Sequence, residues 1–182
     1  MIDCTLLPLK TNHVTLRPLE DRDAEAFAQG TTDPLVQEYG HLPEPNYTAD
    51  SVRTMRREQV EPGLARGDLA VLAIADSQDT FAGSLVLFNV TDEAAEVGFW
   101  LHPDFRGAGI SGIAVELAAQ LATRSGLNRL VARTAVENVA SQQVLLKAGF
   151  QETTRSTGTT PSGATLELVS FERDLTSTID PE

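Results

Sequence analysis

AEVGFWLHPDFRGAGISGIAVELAAQLA, residues 95–122, is the stretch that decides the fold. Its apolar start predicts a β-strand at 95–101, and a glycine-rich loop then leads into a helix. The apolar face expected for that helix consists of Ile113, Val115, Leu117, Ala118 and Leu121. Glycines let a backbone approach a ligand closely, and the first amides of a helix have no partner inside it. The stretch therefore predicts a strand–loop–helix unit whose loop binds a pyrophosphate.

The segments that flank this unit predict a mixed sheet. Residues 69–75 and 81–90 form apolar strands before it, and the short turns between the strands indicate antiparallel neighbours. Gly126 ends the helix, and residues 129–135 predict a strand parallel to 95–101.

The carboxyl-terminal part predicts one more helix and two strands. The helix begins at Asn138 and ends at Gly149. Its expected buried residues are Val144, Leu145 and Leu146. Strands at 150–154 and 164–173 then flank the turn TTPSG.

The amino-terminal part predicts a strand at 13–19 and two helices, capped by Asp21 and Thr48. A proline-rich loop at 40–47 precedes the second helix, which ends near 63–67. We therefore expect a single α/β domain with a mixed, mostly antiparallel sheet of about seven strands and helices on both faces.

The domain is expected to span residues 13–175, with tails at 1–12 and 176–182.

Composition excludes several classes of function. The net charge of −12 repels nucleic acid and attracts a cationic amine or a basic peptide. No apolar run approaches the roughly 20 residues that cross a bilayer, and the chain shows no signal-peptide pattern, so we expect a cytoplasmic protein without membrane contact. Cys4 is the single cysteine, which excludes an internal disulfide, and the three histidines are too scattered for a metal site.

A second stretch makes a family resemblance specific. NRLVARTAVENVASQQVLLKAGF, residues 128–150, together with 95–122, resembles the GNAT superfamily of N-acetyltransferases. Within it, the chain resembles the branch of ribosomal-protein N-terminal-alanine acetyltransferases (Rim-type), and the likeness spans residues 15–175. The resemblance implies an enzyme that transfers acetyl from acetyl-CoA to a primary amine, with no metal. It also implies that the two parallel strands splay apart at their carboxyl ends.

The resemblance carries over the coenzyme site residue by residue. Arg106 and Gly109 match the motif Arg/Gln-x-x-Gly-x-Gly/Ala, while Ser111 stands where the family has Gly or Ala. The implied cradle for the coenzyme diphosphate is Arg106, Gly107, Ala108, Gly109, Ile110, Ser111 and Gly112. The pantetheine arm would bind along the backbone of Phe99, Trp100 and Leu101. The second motif adds Asn138, Ser141 and Lys147.

Two residues are candidates for proton transfer. Glu96 is the candidate base, and its alternative is a solvent-facing strand carboxylate. Ser141 is the candidate acid, as the Rim-type resemblance implies, and its alternative is a helix serine that bonds the backbone or the coenzyme. With no plausible nucleophile at the site, we expect direct transfer in a ternary complex.

Other interpretations stay open at this point. Residues 107–112 also match G-x-G-x-x-G, with Glu137 placed to bind a ribose, which would indicate an NAD-dependent oxidoreductase. The hairpin turns and the short remaining chain argue against that fold. A binding module that senses acyl-CoA without turnover is a further alternative. The acceptor is a protein N-terminus or a small amine, and a homodimer is neither predicted nor excluded.

Overall fold

One sheet of eight strands organises the computed structural model, which describes residues 1–160 and 162–176. In chain order the strands are β1 Leu9–Lys10, β2 Val14–Pro18, β3 Ala70–Asp76, β4 Phe81–Phe88, β5 Ala94–Leu101, β6 Arg129–Ala135, β7 Gln151–Thr159 and β8 Thr165–Asp174. They lie side by side in the order β1-β2-β3-β4-β5-β6-β8-β7. Of the neighbouring pairs, β5 and β6 are parallel and the rest are antiparallel. The predicted mixed, mostly antiparallel sheet is confirmed.

Six α-helices connect these strands within the same ranges. They are α1 Ala24–Gly30, α2 Pro34–Tyr39, α3 Ala49–Met55, α4 Glu61–Arg66, α5 Ile110–Arg124 and α6 Val139–Lys147. A π-helical turn, Arg56–Val60, joins α3 to α4, and the chain leaves α4 through Gly67, whose φ of 72° suits glycine. None of these helices is long and apolar enough to cross a membrane.

Each face of the sheet has its own apolar cluster, because side chains alternate along a strand. On β3, Leu72 and Ile74 belong to the cluster that includes the buried face of α5. Ala73, between them in sequence, packs on the opposite face with Phe27 of α1. Helices therefore cover both faces, as predicted, and each fully buried leucine or isoleucine contributes about 1.5–3 kcal/mol to this arrangement.

The parallel pair opens partway along its length. The register of β5 with β6 ends at Glu96 and Val131 in the described chain. β5 nevertheless continues to Leu101 and β6 to Ala135, each still paired on its other side. The sheet thus has a gap at the carboxyl ends of its parallel strands, where α/β sheets generally bind ligands.

Residues 1–12, predicted to be a tail, pack against the domain. Ile2 is buried, and its amide donates to the carbonyl of Gly67 at 2.9 Å. β1 pairs with β2 and adds an eighth strand to the sheet. The segment lacks a regular alternation of apolar and polar residues, so its pattern did not predict a strand. Of the predicted carboxyl-terminal tail, residues 177–182 lie outside the described residues.

Two helices differ from the prediction. α2 was not predicted, although its signals are present: Asp33 accepts from the Leu35 and Val36 amides, and Pro34 stands in the first turn. On α6, Leu146 is 53 % exposed rather than buried.

Leu146 is exposed because only one face of the short surface helix α6 packs against the sheet, and this face is centred on Leu145. Val144 is only partly buried as a result. β7 also runs to Thr159, beyond its predicted end at 154, because β8 is long enough to pair with it.

A buried ion pair fixes the start of α1 next to β2. Arg17 donates two hydrogen bonds to Asp23, at 2.7 and 2.9 Å, and both side chains are almost fully buried. Arg17 also donates to Asp79 at 2.8 Å. Since α1 begins at Ala24, this pair sets where Phe27 meets the sheet.

We expect Asp23→Ala to lower the free energy of unfolding by about 3 kcal/mol, because the Arg17 guanidinium would lose its buried countercharge. Urea unfolding monitored by circular dichroism measures this change. The control is Asp68→Ala, which removes an exposed partner of Arg66 and should leave the midpoint unchanged. Equal midpoints for the two variants would contradict a structural role for the buried pair.

Candidate active site

A cavity of about 280 Å³ occupies the gap between β5 and β6. Its walls come from both faces of the sheet. Val97 and Phe99 pack with the cluster on the α5 side, whereas Phe27 and Trp100 belong to the cluster on the α1 side. The cavity therefore connects the two faces, so that molecules entering from opposite sides can meet inside the sheet.

Aromatic side chains form the wall on the α1 side. The ring centroid of Phe27 lies 5.4 Å from that of Tyr47 and 5.2 Å from that of Trp100, both in edge-on geometry. Such pairs contribute beyond the area they bury and hold one another in place. Phe99 and Trp100 both line the cavity, although their side chains point to opposite faces of β5.

Glu96, the predicted base, lies in the cavity wall and is 7 % exposed. Its Oε1 accepts from Arg133 Nε at 2.9 Å, and its Oε2 accepts from Arg133 Nη2 at 3.1 Å and Asn89 Nδ2 at 2.9 Å. The hydrogen bonds that Arg133 makes to Glu96 raise the pKa of its guanidinium. The alternative of a solvent-facing carboxylate is wrong, while the role of Glu96 as base stays a prediction.

Asn138 and Ser141 reach the cavity from the first turn of α6. Asn138 caps this helix, as predicted: its Oδ1 accepts from the Ser141 amide at 3.2 Å. The Ser141 hydroxyl makes no hydrogen bond within the described chain, so the helix backbone does not engage it. Gln142, which sequence reasoning missed, donates to the Val136 carbonyl at 2.7 Å and holds the turn between β6 and α6.

The glycine-rich loop presents amides that no protein group occupies. Gly107 and Gly109 have φ values of 82° and 75°, in the left-handed region that favours glycine. Among the described residues, no acceptor takes a hydrogen bond from the amides of 107–112. A Cβ added at Gly107, Gly109 or Gly112 would meet no atom within 4 Å. With the positive end of α5 beside them, these amides fit a diphosphate.

Other predicted coenzyme contacts lie outside the cavity walls. Arg106 donates from Nη2 to Asp33 at 2.6 Å and to the Leu101 carbonyl at 3.2 Å. This contact lowers the pKa of the Asp33 carboxyl. Lys147, the last residue of α6, is exposed.

The structure therefore divides the predicted site in two. Loop 106–112, Leu101 and Lys147 lie outside the cavity walls. The predicted residues that line the cavity are Glu96, Phe99, Trp100, Asn138 and Ser141.

His41 also lines the cavity. Its φ of 47° is uncommon for a residue with a side chain. Its Nε2 is buried and has no hydrogen-bond partner in the described chain, and burial lowers the pKa of the imidazole. Nothing in the loop pattern distinguished this histidine, because the loop meets the sheet only in the folded chain.

Comparisons with known proteins agree with the geometry. A family model described as "Acetyltransferase (GNAT) domain" matches residues 13–151. A protein of Bacillus subtilis (strain 168), named "Putative ribosomal N-acetyltransferase YdaF", is 30 % identical over a match that covers 77 % of this chain and 79 % of that protein.

Two solved structures share the fold. RimJ of Mycobacterium smegmatis, in complex with CoA-disulfide, superposes with a TM-score of 0.81 at 22 % identity, covering 92 % of this chain and 84 % of that one. Spermidine N-acetyltransferase of Vibrio cholerae, in complex with CoA and spermine, gives a TM-score of 0.76 at 18 % identity, covering 91 % and 98 %.

We expect Ser111→Asp to weaken acetyl-CoA binding by tenfold or more without destabilising the protein. A carboxylate in the first turn of α5 stabilises the helix by about 0.3–1 kcal/mol but repels a diphosphate at the same amides. Calorimetry measures the affinity and thermal unfolding the stability. Ser111→Ala is the matched control and should bind normally. Unchanged affinity in Ser111→Asp would place the diphosphate elsewhere.

Proposed function

Because the chain belongs to the GNAT acetyltransferase family and is an acetyl-CoA-dependent N-acetyltransferase, we propose that its acceptor is the α-amino group of a protein N-terminus. The names of the Bacillus relative and of the RimJ structure support a protein acceptor over a small amine. The net charge of −12 supports a basic partner, since opposite charges raise the rate of encounter.

The charge of the cavity is the observation that carries this proposal. Within the described chain, Glu96 is the one carboxylate of its walls, and Arg133 already pairs with it. A polyamine brings several cationic nitrogens, and each needs a polar or anionic partner once it leaves water. A peptide N-terminus brings a single charge followed by neutral backbone. The cavity therefore suits a single amine followed by neutral backbone, and the basic side chains of a peptide would stay outside the cavity walls.

We further propose that the two substrates meet inside the gap from opposite faces. The coenzyme lies on the α5 side, with its diphosphate at the amides of 107–112 and its pantetheine arm along the edge of 99–101 that faces β6 and is not paired with it. The acceptor enters past the 40–47 loop on the α1 side. Transfer is direct, because Cys4 is not among the cavity walls and burial raises the pKa of its thiol.

Ser141 is proposed to donate a proton to the departing thiolate. Its hydroxyl lines the cavity and is not engaged by the helix backbone. The location in the cytoplasm and the role of Lys147 stay predictions, and a homodimer stays open.

Acceptor turnover tests the proposed function. We expect coenzyme thiol release with short basic peptides that have a free α-amino group, and a KM for the peptide that rises with salt because attraction to the acidic protein is screened. The same peptides blocked at the α-amino group, with their lysines free, are the matched control and should be inert. Faster turnover of spermidine than of every peptide would contradict the proposal.

A further inference from the structure

An N-acetyltransferase must take a proton from its acceptor, because an ammonium nitrogen has no lone pair with which to attack. Glu96 was the predicted base, yet both of its oxygens accept hydrogen bonds, from Arg133 and from Asn89. Three of the roughly four lone-pair sites of this carboxylate are thus occupied, and a proton arriving there would remove the negative charge that pairs with Arg133. The cavity therefore needs a proton acceptor whose lone pair is not already engaged.

His41 meets this requirement. One nitrogen of its ring, Nε2, is buried without a partner, whereas Nδ1 makes no hydrogen bond in the described chain and is not among the buried atoms. A charged imidazole at this position loses part of its solvation by water, and burial accordingly lowers the pKa of the ring. The resting ring is therefore neutral, and in the tautomer that carries its hydrogen on Nε2 the accessible nitrogen, Nδ1, has a free lone pair.

Among the described residues, no charged group of the cavity walls shifts the pKa of the His41 imidazole, so burial is the one cause of its shift. The titratable groups of the walls besides His41 are Tyr39, Tyr47, Glu96 and Arg133. Glu96 and Arg133 pair with each other, and burial is the one cause that lowers the pKa of His41. Glu38 and Glu137 act on Tyr39 instead and raise the pKa of its phenol.

The backbone of His41 supports a role at the site. A φ of 47° costs a residue with a side chain some strain, and such residues concentrate at functional sites. The segment is held on both sides. The amide of Gly40, before His41, donates to the Val36 carbonyl at 2.7 Å, and the Glu44 amide, after it, donates to the Tyr47 hydroxyl at 3.4 Å. The loop that carries the imidazole is thus held by hydrogen bonds on both sides of His41.

We propose that His41 is a catalytic residue that accepts a proton from the acceptor amine through Nδ1. The ammonium gives one proton to Nδ1, and its freed lone pair forms a bond to the acetyl carbon. The bond from that carbon to sulfur breaks, and the second proton lost by nitrogen reaches the thiolate through the Ser141 hydroxyl. His41 then returns its proton to solvent, and atoms and charges balance.

This inference rests on the proposed function, and the chemistry of the acceptor fits it. An α-amino group has a pKa of about 8, whereas a lysine side chain has one of about 10.4. A neutral imidazole therefore takes a proton far more readily from an α-ammonium group than from a lysine side chain. The base in the cavity would therefore add to selection for a protein N-terminus over a lysine side chain.

His41→Asn tests the inference, because asparagine tolerates a positive φ and keeps a polar side chain without a basic nitrogen. We expect kcat to fall about a hundredfold, with the KM for acetyl-CoA and the melting temperature unchanged. In the wild type, kcat/KM for the acceptor should rise with pH, and this limb of the profile should have its midpoint below the ordinary pKa of histidine. His41→Asn should lose that limb, and Glu96→Gln should keep it.

His41→Gly provides a second, independent readout. Glycine adopts the φ of 47° without strain and leaves room for a free imidazole, so added imidazole should restore turnover in a concentration-dependent way. If His41 had only a structural role, added imidazole would not restore the turnover of His41→Gly. A kcat for His41→Asn within threefold of wild type would overturn the inference, as would a limb that disappears only in Glu96→Gln. If no peptide is acetylated, the acceptor proposal fails instead, and the same variants are compared with whichever amine reacts.

Discussion

The interruption of pairing between β5 and β6 is the constraint on which the rest of the structure depends. After Glu96 and Val131 the two strands no longer bond to each other, yet each is held by an antiparallel neighbour. The ion pair of Glu96 with Arg133 joins the strands at the point where they separate. The gap is therefore a fixed opening through the sheet, and it gives the GNAT enzyme one place where two substrates can meet.

The two faces of the sheet contribute different groups to the gap. On one side, α5 supplies open amides at its start, and the glycines before it leave space for a diphosphate. On the other side, α1 and the 40–47 loop supply an aromatic wall and a histidine. The buried pair of Arg17 and Asp23 fixes that second side, because it sets where α1 begins.

Sequence reasoning predicted the elements whose signals are local. The glycine-rich loop at 107–112, the cap at Asn138 and the apolar runs of β3, β4 and β5 were recognisable from the residues alone. The G-x-G-x-x-G pattern alone left a dinucleotide-binding fold open. The hairpin turns before the pattern argued for the GNAT fold instead. Features that depend on distant contacts were missed: β1 forms only by pairing with β2, and the exposure of Leu146 follows from how α6 sits on the sheet.

The same distinction applies to the site. The sequence predicted Glu96 as base, and the resemblance implied Ser141 as acid. Both lie at the cavity, but only the folded chain shows that Arg133 and Asn89 engage the first while the second stays unengaged. His41 is separated from β5 by more than fifty positions in the chain, so no local pattern could place it there.

Hydrogen–deuterium exchange with and without coenzyme A tests the central claim most directly. If the coenzyme enters the gap as described, amides in 107–112 and in 97–101 gain protection together, since the first group binds the diphosphate and the second pairs with the pantetheine arm. Protection confined to other segments, with both of these unchanged at saturating coenzyme A, would contradict the account.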